Sequence, residues 1–144
     1  EAMIRLSRVG YDGSIGYLEG GFDAWKKAGK EVDTVKRITA EQFATIHENE
    51  KPLTIDIRKK SEFQSQHITD AVNIPLNEIN NHLAEFPKDK PFILHCAGGY
   101  RSMIAASMLK QRGWDNFSDV IGGFTEIAKT NVPKSEYICP STML

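Results

Sequence analysis

One short segment of the chain combines the residue types that nucleophilic chemistry requires. Cys96 is followed by glycines at positions 98 and 99, by Arg101 and then by an amphipathic pattern. A cysteine reacts as its thiolate, which backbone amides, a helix N-terminus and a nearby arginine all favour. Paired glycines permit conformations in which successive amides point inward and bind an anion. We therefore expect Cys96 to be a nucleophile and Arg101 to bind an anionic group of its substrate.

The flanking patterns predict where this segment lies in the fold. Residues 91–95 form a near-continuous apolar run, which is typical of a strand buried on both faces of a parallel sheet. Residues 102–112 place their apolar side chains on one helical face, and Gly113 follows as a C-cap. Ligands of open α/β sheets bind at the carboxyl ends of strands, which is where Cys96 would lie.

The rest of the chain from about residue 34 alternates between strand and helix patterns. We predict strands at 35–38, 53–57, 71–74, 91–95 and 117–121, and helices at 39–48, 60–67, 76–86, 102–112 and 124–129. Thr39 and Gln42 form a capping box that opens the first of these helices. Such alternation predicts an α/β fold in which a parallel-type sheet carries helices on both faces.

Composition excludes several classes of protein. The chain has 144 residues, a net charge of -1, 40% hydrophobic and 26% charged residues, as expected for one domain with an appendage. Near-neutral charge predicts neither a nucleic acid nor a membrane as partner. We also expect a cytoplasmic location. Two cysteines exclude a disulfide framework, and no histidine spacing predicts a metal site. Because the chain begins with Glu1, it is expected to be part of a longer protein.

A pattern near the start of the chain recurs about a hundred residues later, which is the length of a whole domain. Residues 10–12 and 20–22 read GYD and GGF, and residues 113–115 and 122–124 read GWD and GGF. We predict that residues 1–33 are the C-terminal remnant of a preceding homologous domain, that 34–130 are a complete domain, and that 131–144 are a tail. Because the remnant is too short to bury a core, we expect it to pack on the complete domain or on a second copy of the chain.

The segment from Cys96 resembles the active-site loop of the rhodanese (sulfurtransferase) family, whose pattern is Cys-x-x-Gly-x-Arg-Ser/Thr. Other family motifs occur in the expected order along the chain, at residues 56–58, 62–63, 67–68, 71–75 and 122–124. The sequence departs from the family pattern at Gln66, Asp70 and Ile127. The resemblance implies a three-layer α/β fold with a central, mostly parallel five-stranded sheet. Residues 20–25 resemble the family's closing segment, so the parent protein resembles tandem rhodaneses, including those fused behind a metallo-β-lactamase-fold domain of the persulfide dioxygenase type.

The same resemblance implies that the chain moves a sulfane sulfur through a persulfide on Cys96. The donor would be thiosulfate or a persulfide, which could belong to a small molecule or to a protein. The acceptor would be a thiol or cyanide, and no cofactor would be needed. The implied catalytic residues are Cys96 and Arg101, and the substrate-binding loop comprises Ala97, Gly98, Gly99, Tyr100 and Ser102. Asp56 and Arg58 are expected to brace a strand end near the loop, with Glu62 pairing with Arg58.

Two other functions stay open at this point. Cysteine-dependent phosphatases and arsenate reductases are disfavoured, because phosphatase loops place five residues between Cys and Arg, and this chain places four. A non-catalytic regulatory or binding module is the other alternative, although such modules typically lack the cysteine. Three further side chains have modest expected roles. We expect His67 to pack in a turn, His95 to point away from the Cys96 side chain, and Cys139 to be a bystander or a sulfur-accepting thiol.

Overall fold

A five-stranded sheet forms the centre of Val35–Leu144, the larger of the two units into which the chain divides. The computed structural model describes residues 2–7 and 12–139. The strands are β1 (Arg37–Ile38), β2 (Leu53–Asp56), β3 (Val72–Asn73), β4 (Phe92–His95) and β5 (Phe117–Val120). They lie in the order β1-β5-β4-β2-β3, and all neighbouring pairs run parallel.

Six α-helices, numbered in chain order, and two 3-10 helices occur in the described residues. They are α1 (Ala2–Ser7), α2 (Gly21–Lys27), α3 (Ala40–Glu50), α4 (Lys60–Ser65), α5 (Tyr100–Gln111), α6 (Gly123–Ile127) and the 3-10 helices Leu76–Asn81 and Leu83–Glu85. The predicted capping box at Thr39 is present, with Gln42 as its partner. In the described residues, no helix is long and apolar enough to span a membrane.

Two hydrophobic clusters lie on opposite faces of the sheet. One packs Ile55 and Leu94 of the sheet against Leu109 of α5, and we call this side the α5 face. The other contains Ile93 and Val120 of the sheet and residues of α3 and α6, and we call it the α3/α6 face. Consecutive strand residues such as Ile93 and Leu94 therefore serve different layers, since side chains alternate along a strand. The predicted three-layer α/β fold with a parallel five-stranded sheet is confirmed.

The predicted helix at 76–86 is wrong in type. The segment forms two 3-10 helices, Leu76–Asn81 and Leu83–Glu85, separated at His82, which has a φ of -115°. The pairs Leu76 with Ile79 and Leu83 with Phe86 are each spaced by three, which matches the three residues per turn of a 3-10 helix. Both halves can therefore direct apolar side chains to the core without a continuous α-helix.

The segment after α6 forms no helix or extended strand in its described part, but it is held against the domain. The backbone of Pro133 accepts a hydrogen bond from Thr69, and Ser135 and Ile138 donate to His67 and Ser65. These contacts, 2.8 to 3.1 Å long, place residues 130–139 beside the end of α4. His67 also stacks on Phe63, as expected of a packing histidine.

The smaller unit, Glu1–Thr34, contains α1 and α2. Gly20 and Gly21 have φ values of 76° and 56°, and Gly122 and Gly123 at the start of α6 have 75° and 56°, so the two Gly-Gly turns share one conformation. Residues 12–18 form no strand, whereas the corresponding part of the larger unit is β5, which pairs with strands on both sides. Residues 2–7 and 12–34, the described part of this unit, contain no strand with which residues 12–18 could pair. That residues 1–33 are a remnant of a homologous domain stays a prediction.

Candidate active site

Cys96 lies directly after β4, at the carboxyl edge of the sheet. Its Sγ accepts a hydrogen bond from the backbone N–H of Gly99 at 3.1 Å and one from the Ser102 hydroxyl at 3.5 Å. Helix α5 begins at Tyr100, two residues earlier than predicted, so Arg101 and Ser102 belong to its first turn. The sulfur is therefore held where unsatisfied helix amides favour negative charge. Cys96 is 1% exposed, so only a small group can approach it.

The two glycines of the loop are not equivalent, which corrects the expectation that both supply a special backbone conformation. Gly99 has a φ of 91°, in the left-handed region, and serves as the N-cap of α5. Gly98 has an ordinary φ, and a Cβ there would meet no atom within 4 Å. The conformation that aims an amide at the sulfur therefore depends on Gly99.

Helix α6 fixes the loop backbone from the other side, a role that the sequence pattern did not predict. The backbone N–H groups of Phe124 and Thr125 donate to the carbonyls of Cys96 at 2.7 Å and Ala97 at 3.0 Å. The Thr125 hydroxyl also donates to Ala97 O at 3.0 Å. A Cβ on Gly123 would lie 2.3 Å from Cys96 O, so only glycine permits this approach. The repeated Gly-Gly-Phe pattern was the signal in the sequence.

Arg101 forms a two-pronged ion pair with Glu62 of α4. Its Nη1 and Nη2 lie 2.6 and 2.8 Å from the two carboxylate oxygens. The Arg101 hydrogen bond holds the pKa of Glu62 below its ordinary value, and Glu62 raises the pKa of Arg101. The predicted pairing of Glu62 with Arg58 is therefore wrong. Because the Arg101 side chain is 27% exposed, it lies at the rim of the loop.

Asp56 and Arg58 form a buried brace below the loop. The Arg58 guanidinium donates from Nε and Nη2 to the Asp56 carboxylate at 2.6 to 3.0 Å. Its Nη2 also donates to Gln66 O at 2.8 Å, and its charge lies 4.0 Å from the centre of the Phe124 ring. The backbone N–H of Phe124 donates the hydrogen bond to Cys96 O, so the Asp56–Arg58 pair supports the loop through α6.

His95 is fully buried on the opposite side from the Cys96 side chain, as predicted. Its ring stacks against Phe124, with centroids 6.2 Å apart, and its Nε2 lies 3.8 Å from Asp56 Oδ2. Burial lowers the pKa of His95 despite the nearby Asp56 carboxylate. The neutral ring is thus part of the packing under the loop rather than a group that contacts the sulfur.

Two of the remaining candidates are exposed, and one ion pair was not anticipated. The Tyr100 residue is 55% exposed beside the loop, and Cys139 is exposed in the segment after α6. Arg37 of β1 and Asp119 of β5, which the sequence did not single out, form an ion pair of 3.0 Å on the α5 face. Across the described residues, no group of three His, Cys, Asp or Glu side chains could hold a metal ion.

Comparison with known proteins gives one consistent family. A family model described as a rhodanese-like domain matches residues 39–130. The chain is 34% identical over 99 residues to thiosulfate sulfurtransferase GlpE of Pseudomonas syringae, covering 69% of this chain and 92% of that protein. It is 32% identical over 92 residues to the adenylyltransferase and sulfurtransferase uba4 of Ogataea parapolymorpha, covering 63% of this chain but only 23% of that longer protein.

A solved structure shows the same fold. The crystal structure of a rhodanese-related protein from Thermoplasma volcanium superposes with a TM-score of 0.61 at 31% sequence identity. The match covers 69% of this chain and 97% of the other. Residues 39–130, which the family model matches, lie within the larger unit and include the Cys96 loop. The chain therefore belongs to the rhodanese-like domain family.

Proposed function

We propose that the larger unit is a sulfurtransferase in which Cys96 carries the transferred sulfur. The observation that supports this most directly is the pair of hydrogen bonds that Gly99 and Ser102 donate to Cys96 Sγ, at 3.1 and 3.5 Å. Both donors favour a negatively charged sulfur, which is the form that attacks and the form that a persulfide takes. Relatives with sulfurtransferase names support the same chemistry.

The proposed reaction is a double displacement at sulfur. The Cys96 thiolate attacks the outer sulfur of thiosulfate, an S–S bond forms, the S–S bond of the donor breaks, and sulfite leaves with the electron pair. Cyanide or an acceptor thiolate then attacks the outer sulfur of the Cys96 persulfide. The S–S bond of the persulfide breaks, and the Cys96 thiolate leaves with the electron pair. Both steps move electron pairs and leave anions, so they need no cofactor, external oxidant or general acid.

The loop suits a donor with a small sulfane sulfur. We propose Arg101 as the residue that contacts the anionic part of the donor, since its guanidinium lies at the rim. Ala97, Gly98 and Tyr100 would line the approach, and Asp56 and Arg58 would support the loop. Thiosulfate, a low-molecular-weight persulfide and a protein persulfide share the required bond, and the acceptor is a thiol or cyanide. A cytoplasmic location stays a prediction.

Sulfur transfer from thiosulfate to cyanide tests the proposal. Cys96→Ser removes the nucleophile and is expected to abolish the transfer, whereas Cys139→Ser is the matched control that keeps it. Hydrolysis of an aryl phosphate is measured in parallel, because a cysteine-dependent phosphatase would show that activity instead. Transfer that survives in Cys96→Ser would refute the proposal, and absence of both activities with every donor would favour a binding module.

We also propose that a homologous domain precedes the larger unit in the parent protein. The equal backbone conformations of the turns at Gly20–Gly21 and Gly122–Gly123 support this, since the second turn adjoins a Cys loop. Fusion to a metallo-β-lactamase-fold domain stays a prediction from resemblance. The mass of the native polypeptide, measured from its source, tests both ideas.

A further inference from the structure

A second ion pair lies on the same face of the sheet as Cys96. Arg37, Asp119 and Leu94 are partners in register across β1, β5 and β4, and Leu94 belongs to the α5 face. Asp119 is 0% exposed, and its Oδ2 accepts a hydrogen bond from Arg37 Nε at 3.0 Å. The Arg37 side chain is 39% exposed, and its Nη2 lies 3.5 Å from the position of a Cβ on Gly99. The pair thus extends from solvent to the base of the Cys96 loop.

The second carboxylate oxygen of Asp119 is unusual. Among the described residues, Oδ1 is buried and has no hydrogen-bond partner. Burial raises the pKa of the Asp119 carboxyl, and Ser102 and Arg37 oppose that effect. Ser102 is a buried residue of α5, which packs against β5, and it is one of the groups that lower the pKa of the Asp119 carboxyl. Buried acceptors are usually satisfied, so an orphaned one next to a reactive loop requires a reason.

The Ser102 hydroxyl connects the two groups. Ser102 is fully buried, and its Oγ lies 3.5 Å from Cys96 Sγ. A serine hydroxyl has one proton to donate, so a bond to sulfur and a bond to the carboxylate exclude each other. The Asp119 carboxylate therefore competes with the Cys96 sulfur for the Ser102 hydroxyl, and Arg37 offsets the negative charge of that carboxylate.

We propose that Asp119 and Arg37 are positioning residues that control the reactivity of the Cys96 sulfur through the Ser102 hydroxyl. The inference rests on Cys96 being the nucleophile of the proposed function. When the sulfur becomes anionic, the Ser102 hydroxyl donates its hydrogen bond to the sulfur. Arg37 then stabilises the Asp119 carboxylate, which lacks that hydrogen bond. The outer position of Arg37 makes this control accessible from solvent, while Asp119 and Ser102 stay buried.

Other charged groups near the cluster are already held in pairs. Arg101 from α5 is paired with Glu62 from α4, and Asp56 from β2 is paired with Arg58. His95 from β4 faces the other side of the sheet, and burial lowers its pKa. The experiment alters none of these groups, so a change in the pH profile of Cys96 alkylation reports on Asp119, Arg37 and Ser102.

The experiment follows alkylation of Cys96 by iodoacetamide as a function of pH, in the Cys139→Ser background where Cys96 is the remaining thiol. Asp119→Asn is expected to lower the midpoint of the profile by about 0.5 to 1 pH unit, because it removes the charged acceptor that competes with the sulfur for the Ser102 hydrogen bond. Arg37→Gln is expected to raise it by about the same amount, because a carboxylate that Arg37 no longer offsets competes more strongly for that hydrogen bond. Lys36→Gln removes an exposed charge from the neighbouring residue and is expected to leave the midpoint unchanged.

Coupling through Ser102 is tested by the double variant. In a Ser102→Ala background, Asp119→Asn is expected to shift the midpoint by less than about half as much. Equal shifts in both backgrounds, shifts of the same sign for Asp119→Asn and Arg37→Gln, or no shift would overturn the proposal. If Asp119→Asn does not fold, Arg37→Gln with and without Ser102→Ala decides the question. Because alkylation needs no sulfur donor, its result does not depend on persulfide formation. Failure of the proposed function is therefore distinguished from failure of this inference.

Discussion

Both oxygens of the Glu62 carboxylate accept hydrogen bonds from the Arg101 guanidinium, at 2.6 and 2.8 Å. Glu62 comes from α4 and Arg101 from the first turn of α5, so the pair joins two elements beside the Cys96 loop. The charge expected to attract an anionic donor is thus already balanced by a carboxylate. In the proposed function, a donor that binds Arg101 would therefore share it with Glu62.

Replacing Glu62 with glutamine is expected to lower the KM for thiosulfate. The glutamine carbonyl can still accept one hydrogen bond from Arg101, while the charge that repels a dianion is lost. Partly exposed ion pairs contribute up to about 1 kcal/mol, so we expect about a fivefold decrease in KM. Glu48→Gln removes the same charge from an exposed position of α3 and is the control. A raised KM would show that Glu62 assists donor binding instead.

The same pair makes stability depend on pH. The ordinary pKa of 4.5 for Glu62 is lowered in the folded protein, mainly by the Arg101 hydrogen bond. The unfolded chain therefore binds the proton more readily, so the stabilisation is complete above pH 4.5 and is lost as pH falls through the folded pKa. The difference in unfolding free energy between wild type and Glu62→Gln is expected to shrink from about pH 7 to about pH 4. A difference that grows on acidification would contradict this sign.

Gly123→Ala is expected to disrupt the loop, because the new Cβ would lie 2.3 Å from Cys96 O and 2.8 Å from Ala97 O. The matched control is Gly113→Ala, since Gly113 also has a positive φ, 87°, but no atom within 4 Å of a Cβ. The control should cost about 1–2 kcal/mol of backbone strain and keep sulfur transfer. Gly123→Ala should lose more stability and most of the transfer. Chemical denaturation and the cyanide assay measure the two effects, and equal behaviour of both variants would rule out the steric explanation.

Asp56→Asn is expected to destabilise the domain strongly, since it leaves the buried Arg58 guanidinium without its carboxylate. Breaking one side of a buried ion pair typically costs about 3–5 kcal/mol. The double variant Asp56→Asn/Arg58→Met removes both charges and should recover much of that loss. Urea denaturation of the two variants measures this, and a double variant less stable than the single one would show that Arg58 matters more for its contacts with Gln66 and Phe124.

Local patterns in the sequence were sufficient to predict the fold and the position of Cys96. The apolar run before Cys96 and the amphipathic run after it correspond to β4 and α5, because burial on two faces and on one face leave different periodicities. The error at residues 76–86 arose because apolar residues spaced by three fit a 3-10 helix as well as an α-helix.

Partners that lie far apart in the chain were harder to predict. Glu62 pairs with Arg101 across 39 positions, and Arg37 pairs with Asp119 across 82. Sequence separation carries no information about such pairs until strand order is known, and β1 lies beside β5 only in the folded sheet. The assignment of Glu62 to Arg58 failed for this reason, since local helical spacing was the sole guide.

The central claim is that Cys96 carries the sulfur. Intact-mass and peptide mass spectrometry of the Cys139→Ser protein, after incubation with thiosulfate or glutathione persulfide, tests it directly. We expect an added mass of one sulfur atom on the Cys96 peptide, which cyanide removes with formation of thiocyanate. Cys96→Ser, treated identically, should gain no sulfur. An unmodified Cys96 with every donor, in protein whose Cys96 is shown to be reduced, would contradict the account.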